Sequence, residues 1–347
     1  MRAVMVGCGA MSNGWLAAIR DEPALRGRVE MAGFVDLDPA AAARQAAAYG
    51  FGGAATGPDL AAMLDAVRPD VVFDLVVPAA RRGVVEAALA AGAHVLSEKP
   101  MANSLDEATA LLDAAARAGR VHAVVQNRRH LRGIRRARAL IASGRLGEVT
   151  AIHADFFMAP RFGGFREAMD HVLLHDMAIH TFDAARYLWP SEPVSVFAQE
   201  TNPKGSWFAH GAAANALFDG ADGSVFSYRG SWVAPGAQTG WESAWRIVGS
   251  EGSALWDGND GFVAEVATGE EGFLRPVRAL AVPDVDPLPA EGHAGVILDF
   301  LDALEAGRAP LSAGPDNIRS VAMVFGAIAS AESGQRVALD PHLGDPA

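Results

Sequence analysis

The sequence predicts an α/β chain: a doubly wound parallel sheet first, then an α+β part built on a large, mostly antiparallel open sheet. Three observations carry this. Short apolar strands alternate with helical stretches up to about residue 126, the spacing that builds a parallel sheet. The first strand runs directly into the glycine turn Gly7-Cys8-Gly9. From residue 147 onward, β-type runs follow one another across glycine turns, mostly without helices between them, as in an open antiparallel sheet. A length of 347 residues allows about two domains, and the change of pattern divides them into 1–126 and 127–347.

In order, residues 3–6 form an apolar strand, 7–13 a turn and 15–20 a helical stretch. A second strand over 29–35 ends at Asp36. The alanine-rich stretch 39–49 is a helix entered through Asp38, with Pro39 at its first helical position. Residues 59–67 are helical, and 71–77 is a near-continuous apolar run suited to a strand buried on both faces. A helix over 84–91 stops at Gly92, and a strand over 94–96 leads into Glu98-Lys99-Pro100. Ser104 opens and Gly119 closes a helix over 105–118, and 121–126 is again a strand. The second part begins with a long strand over 147–157 and a helix over about 172–188. Strands over 194–201, 211–218, 224–233, 244–249 and 262–267 follow. The proline-rich stretch 282–289 is a connecting loop. Val296, Ile297, Phe300, Leu301 and Leu304 make a helical stripe ending at Gly307, and 317–331 is the last helix.

Composition narrows the function. The net charge of -12 argues against nucleic acid as a partner, since no basic field replaces phosphate counterions. The cluster Arg128, Arg129, Arg132, Arg135, Arg136 and Arg138 reads mainly as a solvated helix face. The single cysteine, Cys8, excludes an intrachain disulfide and reads as a small side chain in the turn. No apolar run is long enough to span a bilayer, no leader is recognised, and a cytoplasmic location is expected.

Gly7, Gly9 and Ser12 occupy the positions of a G-x-G-x-x-G turn, with serine in place of the third glycine. Gly7 allows the tight turn, and Gly9 lets the backbone approach a pyrophosphate held at the following helix N-terminus. Ala10 and Met11 complete the dinucleotide-facing turn. Asp36 closes the second strand, where a carboxylate takes the adenosine ribose hydroxyls and repels a 2′-phosphate. NAD is therefore expected over NADP.

Lys99 follows a parallel strand at the edge where open α/β sheets bind ligands, and its charge suits a developing alkoxide. By position alone, a turn lysine salt-bridged to Glu98 is the favoured reading. Asp176 and His180 are four apart on the expected helix, with Asp183 further along the same side. An aspartate that orients an imidazole suits a base taking a proton from a hydroxyl, although an ordinary surface pair has the same spacing. His171 and His175 are also four apart, but with Asp176 and His180 they do not converge on one point, and no metal site is expected.

Together, Gly7-Cys-Gly9, the segment 90–100 ending in Glu98-Lys99-Pro100, the arginine pair after Asn127, Gly144-Arg-Leu-Gly-Glu-Val149 and Asp176-x-x-x-His180-x-x-Asp183 resemble the glucose–fructose oxidoreductase/inositol dehydrogenase/MocA-like family over essentially the whole chain. The resemblance implies an N-terminal Rossmann domain binding a nicotinamide dinucleotide and a C-terminal domain carrying substrate. It implies a homodimer or homotetramer formed through the C-terminal sheet. It makes Lys99 the catalytic lysine and His180 the general base paired with Asp176, all three touching substrate. It places Val77, Pro78, Glu98, Lys99 and Asn127 at the cofactor, with Asn127 also near substrate. Departures are Val77-Pro78-Ala79 where Thr-Pro-Asn is usual, Arg82 in place of a histidine, and 169–174 in place of a glycine-rich lead. His171 thereby becomes a further substrate-ligand candidate, with Arg161, Arg166 and Trp207 behind it. The expected activity is NAD-dependent oxidation of a secondary hydroxyl of a sugar, sugar derivative or cyclitol. Alternatives are a sugar enzyme that recycles bound NAD through elimination, hydrolysis or epimerisation, and a non-catalytic sugar sensor.

Overall fold

A computed structural model describes residues 1–345. Its elements are β1 (Arg2–Val6), α1 (Ser12–Asp21), β2 (Glu30–Val35), α2 (Pro39–Ala48), β3 (Ala55–Gly57), α3 (Leu60–Val67), β4 (Val71–Asp74), α4 (Pro78–Ala90), β5 (His94–Ser97), α5 (Leu105–Ala118), β6 (His122–Val124) and α6 (Arg132–Ala142). Then come β7 (Val149–Phe157), α7 (Ile179–Leu188), β8 (Pro193–Thr201), β9 (Ala213–Gly220), β10 (Val225–Ser231), β11 (Ala244–Gly249), β12 (Gly252–Trp256), β13 (Phe262–Ala267), β14 (Val277–Ala279), α8 (Gly292–Ala306), α9 (Gly314–Ser333) and β15 (Val337–Ala338). None of these helices is long and apolar enough to cross a membrane among the described residues.

Two compact units result, and they are not consecutive segments. Residues 1–130, 287–321 and 343–345 make the first, and 131–286 with 322–342 the second. The expected division into 1–126 and 127–347 therefore misplaces α8 and the start of α9. The reason is packing: Val296, Ile297, Phe300 and Leu301 of α8 share one core with Trp15, Leu16, Ile19 and Leu25.

In the first unit, six strands lie in the order β3-β2-β1-β4-β5-β6, all parallel. The chain reverses direction of winding between β1 and β4, the crevice where doubly wound sheets take ligands. α2 and α3 begin on Asp38 and Asp59, whose carboxylates accept from Ala40 and Ala62 amides at 2.9 and 3.1 Å. α4 starts at Pro78, six residues earlier than the sequence predicts, and β4 ends at Asp74, so residues 75–77 form the turn between them.

The second unit is a nine-stranded sheet in the order β14-β13-β12-β11-β7-β10-β9-β8-β15, antiparallel except where β7 meets β10. Its register lines Val196, Phe218, Phe226, Ile152, Ile247, Ala254 and Ala264 in one buried row. The adjacent row on the opposite face is Phe197, Leu217, Ser227, His153, Arg246, Leu255 and Val263. Period-two alternation thus gives the sheet one core face and one open face that still carries large apolar side chains.

The arginine cluster divides: Arg132 and Arg138 of α6 are exposed, as a solvated helix face requires, but Arg128 and Arg129 are not. Arg128 and Arg129 are buried, and Arg129 donates to the Leu311 carbonyl at 2.9 Å and pairs with Asp316 at 2.7 Å. Arg132 holds Asp284 at 2.7 Å, Arg135 the Asp286 carbonyl at 2.9 Å and Arg136 the Pro283 carbonyl at 3.2 Å. Arg138 stacks on Tyr187 at 4.1 Å. These cations fasten an otherwise irregular stretch, 283–286, to α6.

Candidate functional site

The glycine turn follows from local sterics. Gly7 has φ +92°, and a Cβ there would stand 2.7 Å from the Leu75 backbone, so only glycine fits. A Cβ on Gly9 would meet nothing within 4 Å, leaving an open cradle beside the backbone. Ser12 replaces the third glycine without strain: it is buried, and its hydroxyl donates to the Gly9 carbonyl at 2.6 Å. The Asp36 carboxylate accepts from the Cys8 and Asp38 amides at 2.8 and 2.9 Å, which ties the end of β2 to the turn. Burial, with Asp36 beside it, pushes the Cys8 thiol up to about 12, so it is no nucleophile.

Ala10, Met11 and Val77 are exposed, and Pro78 is half-buried. Asn127 keeps its Oδ1 buried and without a hydrogen-bond partner, as does Gln126 its Nε2. An open cradle at Gly9, an anchored carboxylate at Asp36 and unsatisfied amide groups at 126–127 fit a nicotinamide dinucleotide.

Glu98 is 6% exposed. It accepts from Trp15 Nε1 at 2.7 Å and from the Lys99 amide at 3.2 Å, and His293 Nε2 stands 3.7 Å away. Burial works to raise its pKa, but His293, Trp15 and the nearby Lys99 charge outweigh that and hold it below the usual carboxylate range. Glu98 is thus a fixed carboxylate committed to Trp15 and its own turn. The Lys99–Pro100 peptide is cis, and the Lys99 residue is half-buried just beyond β5.

In the second unit, the expected helix over 172–188 divides. Leu173–Ala178 is a π-helix and regular α-helix begins only at Ile179. Asp176 lies in this wider turn and His180 just after it, at the start of α7. Such turns are frequent at functional sites. Asp176 is 15% exposed and is held by Arg166 Nε at 2.9 Å. His180 is half-buried at the start of α7, and Asp183 is fully buried in the core. Lys99 and Asn127 belong to the first unit, and Asp176, His180 and His171 to the second.

His171 has φ +52°, and its ring lies between Glu200, 2.5 Å from Nδ1, and Glu332, 3.3 Å from Nε2. Both ring nitrogens therefore already face carboxylates within the unit. Burial raises the pKa of Glu200, against the opposing pull of His171. Arg161 stacks on Trp207 at 4.3 Å, and Arg166 lies over Phe162 and Phe165 at 5.4 and 5.0 Å. Phe162 meets Trp232 edge-on at 5.2 Å, and Trp232 meets Trp241 at 5.8 Å. Phe162 and Trp241 are 39% and 49% exposed, so an aromatic surface adjoins the Arg166–Asp176 pair. Trp232, Trp241 and Phe162, like His293, are absent from the sequence-based candidates, because isolated aromatics and one histidine at a helix start carry no spacing signal.

Residues 1–126 match the model of an oxidoreductase family with an NAD-binding Rossmann fold, GFO/IDH/MocA, and residues 134–255 match that of a GFO/IDH/MocA C-terminal domain. A 1,5-anhydro-D-fructose reductase from Ensifer adhaerens is 26% identical, over 74% of this chain and 76% of that one. An inositol 2-dehydrogenase from Streptomyces avermitilis is 32% identical over 48% of each chain. The fold is also that of a levoglucosan dehydrogenase solved with NADH and levoglucosan: TM-score 0.81 at 21% identity, covering 98% of this chain and 99% of that one.

Proposed function

The chain belongs to the GFO/IDH/MocA oxidoreductase family, and from that premise we propose that it is an NAD-dependent dehydrogenase acting on a secondary hydroxyl, or the matching ketone, of a sugar, sugar derivative or cyclitol. The observation that carries this reading is the fixed Glu98-Lys99 turn beside an open glycine cradle closed by Asp36. The nicotinamide, when bound, accepts or donates the hydride.

The protein's own groups do the rest. The Asp36 carboxylate stands where a 2′-phosphate would bring repulsion, which selects NAD. Lys99 stabilises negative charge on the reacting oxygen, and His180 holds or releases the hydroxyl proton. Asp176 orients that base, and Arg166 fixes Asp176. Phe162 and Trp241 offer faces for the C–H side of a ring polyol, whose hydroxyls take the polar contacts. The open row from Phe197 to Val263 is the surface for a second copy of the chain.

The test is reduced-nicotinamide absorbance with sugars, sugar acids and inositols, supplied with NAD or NADP. One class should give signal with NAD in preference to NADP. Lys99→Ala and His180→Ala should each lower kcat by orders of magnitude, about 10²–10⁴-fold for a proton-transfer group, with NAD affinity nearly unchanged. Near-normal turnover in either variant would remove that residue from the mechanism. Silence across the panel, with NAD still bound, would favour a recycled cofactor or a sensor.

A further inference from the structure

We propose that Arg81 is a positioning residue for the Lys99 turn, clamping the two turns at the ligand edge of the first unit through a buried network with Asp74, Ser97 and His122. This rests on the reading of Lys99 as the group that acts on the substrate oxygen. The network sits directly under that turn. Asp74, Arg81, Ser97 and His122 are each at most 2% exposed. Asp74 ends β4 and Ser97 ends β5, and the two residues are paired across the sheet.

The guanidinium of Arg81 spends all three nitrogens. Its Nε donates to Asp74 Oδ2 at 2.8 Å, one terminal nitrogen donates to the Val76 carbonyl at 2.8 Å, and the other donates to the Pro100 carbonyl. One planar fork thus spans the turn after β4, which carries Val77, and the turn after β5, which carries Glu98 and Lys99. Asp74 reinforces both: its carbonyl accepts from the Glu98 amide at 2.8 Å, and its Oδ1 accepts from the Val76 amide at 3.2 Å. The Ser97 hydroxyl bonds the Asp74 carboxylate and lies 3.0 Å from His122 Nε2. Because the serine proton goes to the carboxylate, the histidine must donate from Nε2. That leaves Nδ1 a bare acceptor, in accord with its lack of a partner.

Stability alone does not account for such a group. A buried ion pair is often no better for stability than apolar residues of the same volume. A fork that reaches two separate backbone carbonyls does what neither a lysine nor an aliphatic side chain does. It prevents the loops from shifting against each other, and so holds the base of the Lys99 side chain at one place on the sheet edge.

The experiment replaces the whole pair. The double variant Asp74→Leu/Arg81→Leu removes both charges and leaves no orphaned ion, so folding should survive. Its kcat should fall about 10- to 100-fold, the scale of a misplacement of about 1 Å, with Tm and the Kd for NAD close to those of the parent. Arg81→Lys keeps the charge opposite Asp74 but loses the fork, and should show the same loss of kcat. It carries the test if the double variant does not fold. In a Lys99→Ala background the same changes should add nothing, since the group they place is gone. If Lys99→Ala is slow and the folded Arg81 variants turn over normally, the clamp is overturned and the Lys99 reading stands. If Lys99→Ala itself turns over normally, both are overturned. Losses that multiply in the Lys99→Ala background would make the network structural only.

Discussion

His122 illustrates how one residue's surroundings set a measurable property of the protein. Burial, with the Arg81 charge nearby, pushes its pKa down to about 3 from an ordinary 6.5. Below pH 6.5 the unfolded chain takes up a proton at this site and the folded chain does not. The unfolded state then binds more protons, so stability rises with pH through this window. The contribution is complete above pH 6.5 and is lost as pH falls toward 3. His122 should add a slope approaching about 1.4 kcal/mol per pH unit to the unfolding free energy. Urea unfolding of the parent and His122→Leu between pH 4 and 7 checks this, and an unchanged slope would mean that His122 is protonated in the fold. Gly7 and Asp36 are legible in the sequence because strand, turn and acid lie within one βαβ unit, and Lys99 because it directly follows a strand and precedes a proline. Arg81 and His293 are not, because their partners, the Pro100 carbonyl and Glu98, are set by tertiary packing.

Elements were legible where their end signals are local. α5 spans the residues the sequence predicts, since the Ser104 hydroxyl accepts from the Glu107 amide at 3.1 Å and Gly119 takes φ +60°. α4 begins six residues before its sequence signal because its first turns contain Arg81 and Arg82, and a buried arginine disguises the apolar face. The π-turn over Leu173–Ala178 leaves the helical period almost intact in sequence, so nothing there announces it. β12, between β11 and β13, and the very short edge strands β14 and β15 of the nine-stranded sheet carry no clear local signal in the sequence. That sheet carries its own prediction. Leu217, Leu255 and Val263 are 38%, 40% and 59% exposed along one register row, more apolar surface than a solvated face requires. If a second copy covers the row, Leu217→Glu with Leu255→Glu should shift the sedimentation mass to that of one chain, with little change in its far-UV spectrum. An unchanged mass would exclude the face as the interface.

At the scale of the whole molecule, the chain leaves the first unit after residue 130, returns at 287, leaves it after 321 and returns at 343. The nucleotide-binding sheet is therefore contiguous in sequence, but its supporting core is not. α8 contributes Val296, Ile297, Leu298, Phe300 and Leu301, each under 8% exposed, to the core that Trp15, Leu16 and Ile19 of α1 share. Burying one such side chain is worth about 1.5–3 kcal/mol, an upper figure because the unfolded chain is itself partly collapsed. Five of them together rival the whole net stability of a typical domain, about 5–15 kcal/mol. A fragment ending at residue 126 should accordingly keep its βαβ order but expose the α1 face, bind a hydrophobic dye and unfold without a cooperative transition. Joining residues 1–130 to 287–321 through a flexible linker should restore a sharp transition, because that piece carries the α8 face with it. Comparing the two by thermal unfolding and dye binding separates the alternatives. A fragment 1–126 that melts cooperatively on its own would show that the α1 face tolerates solvent and that α8 adds only a late increment to a core already complete.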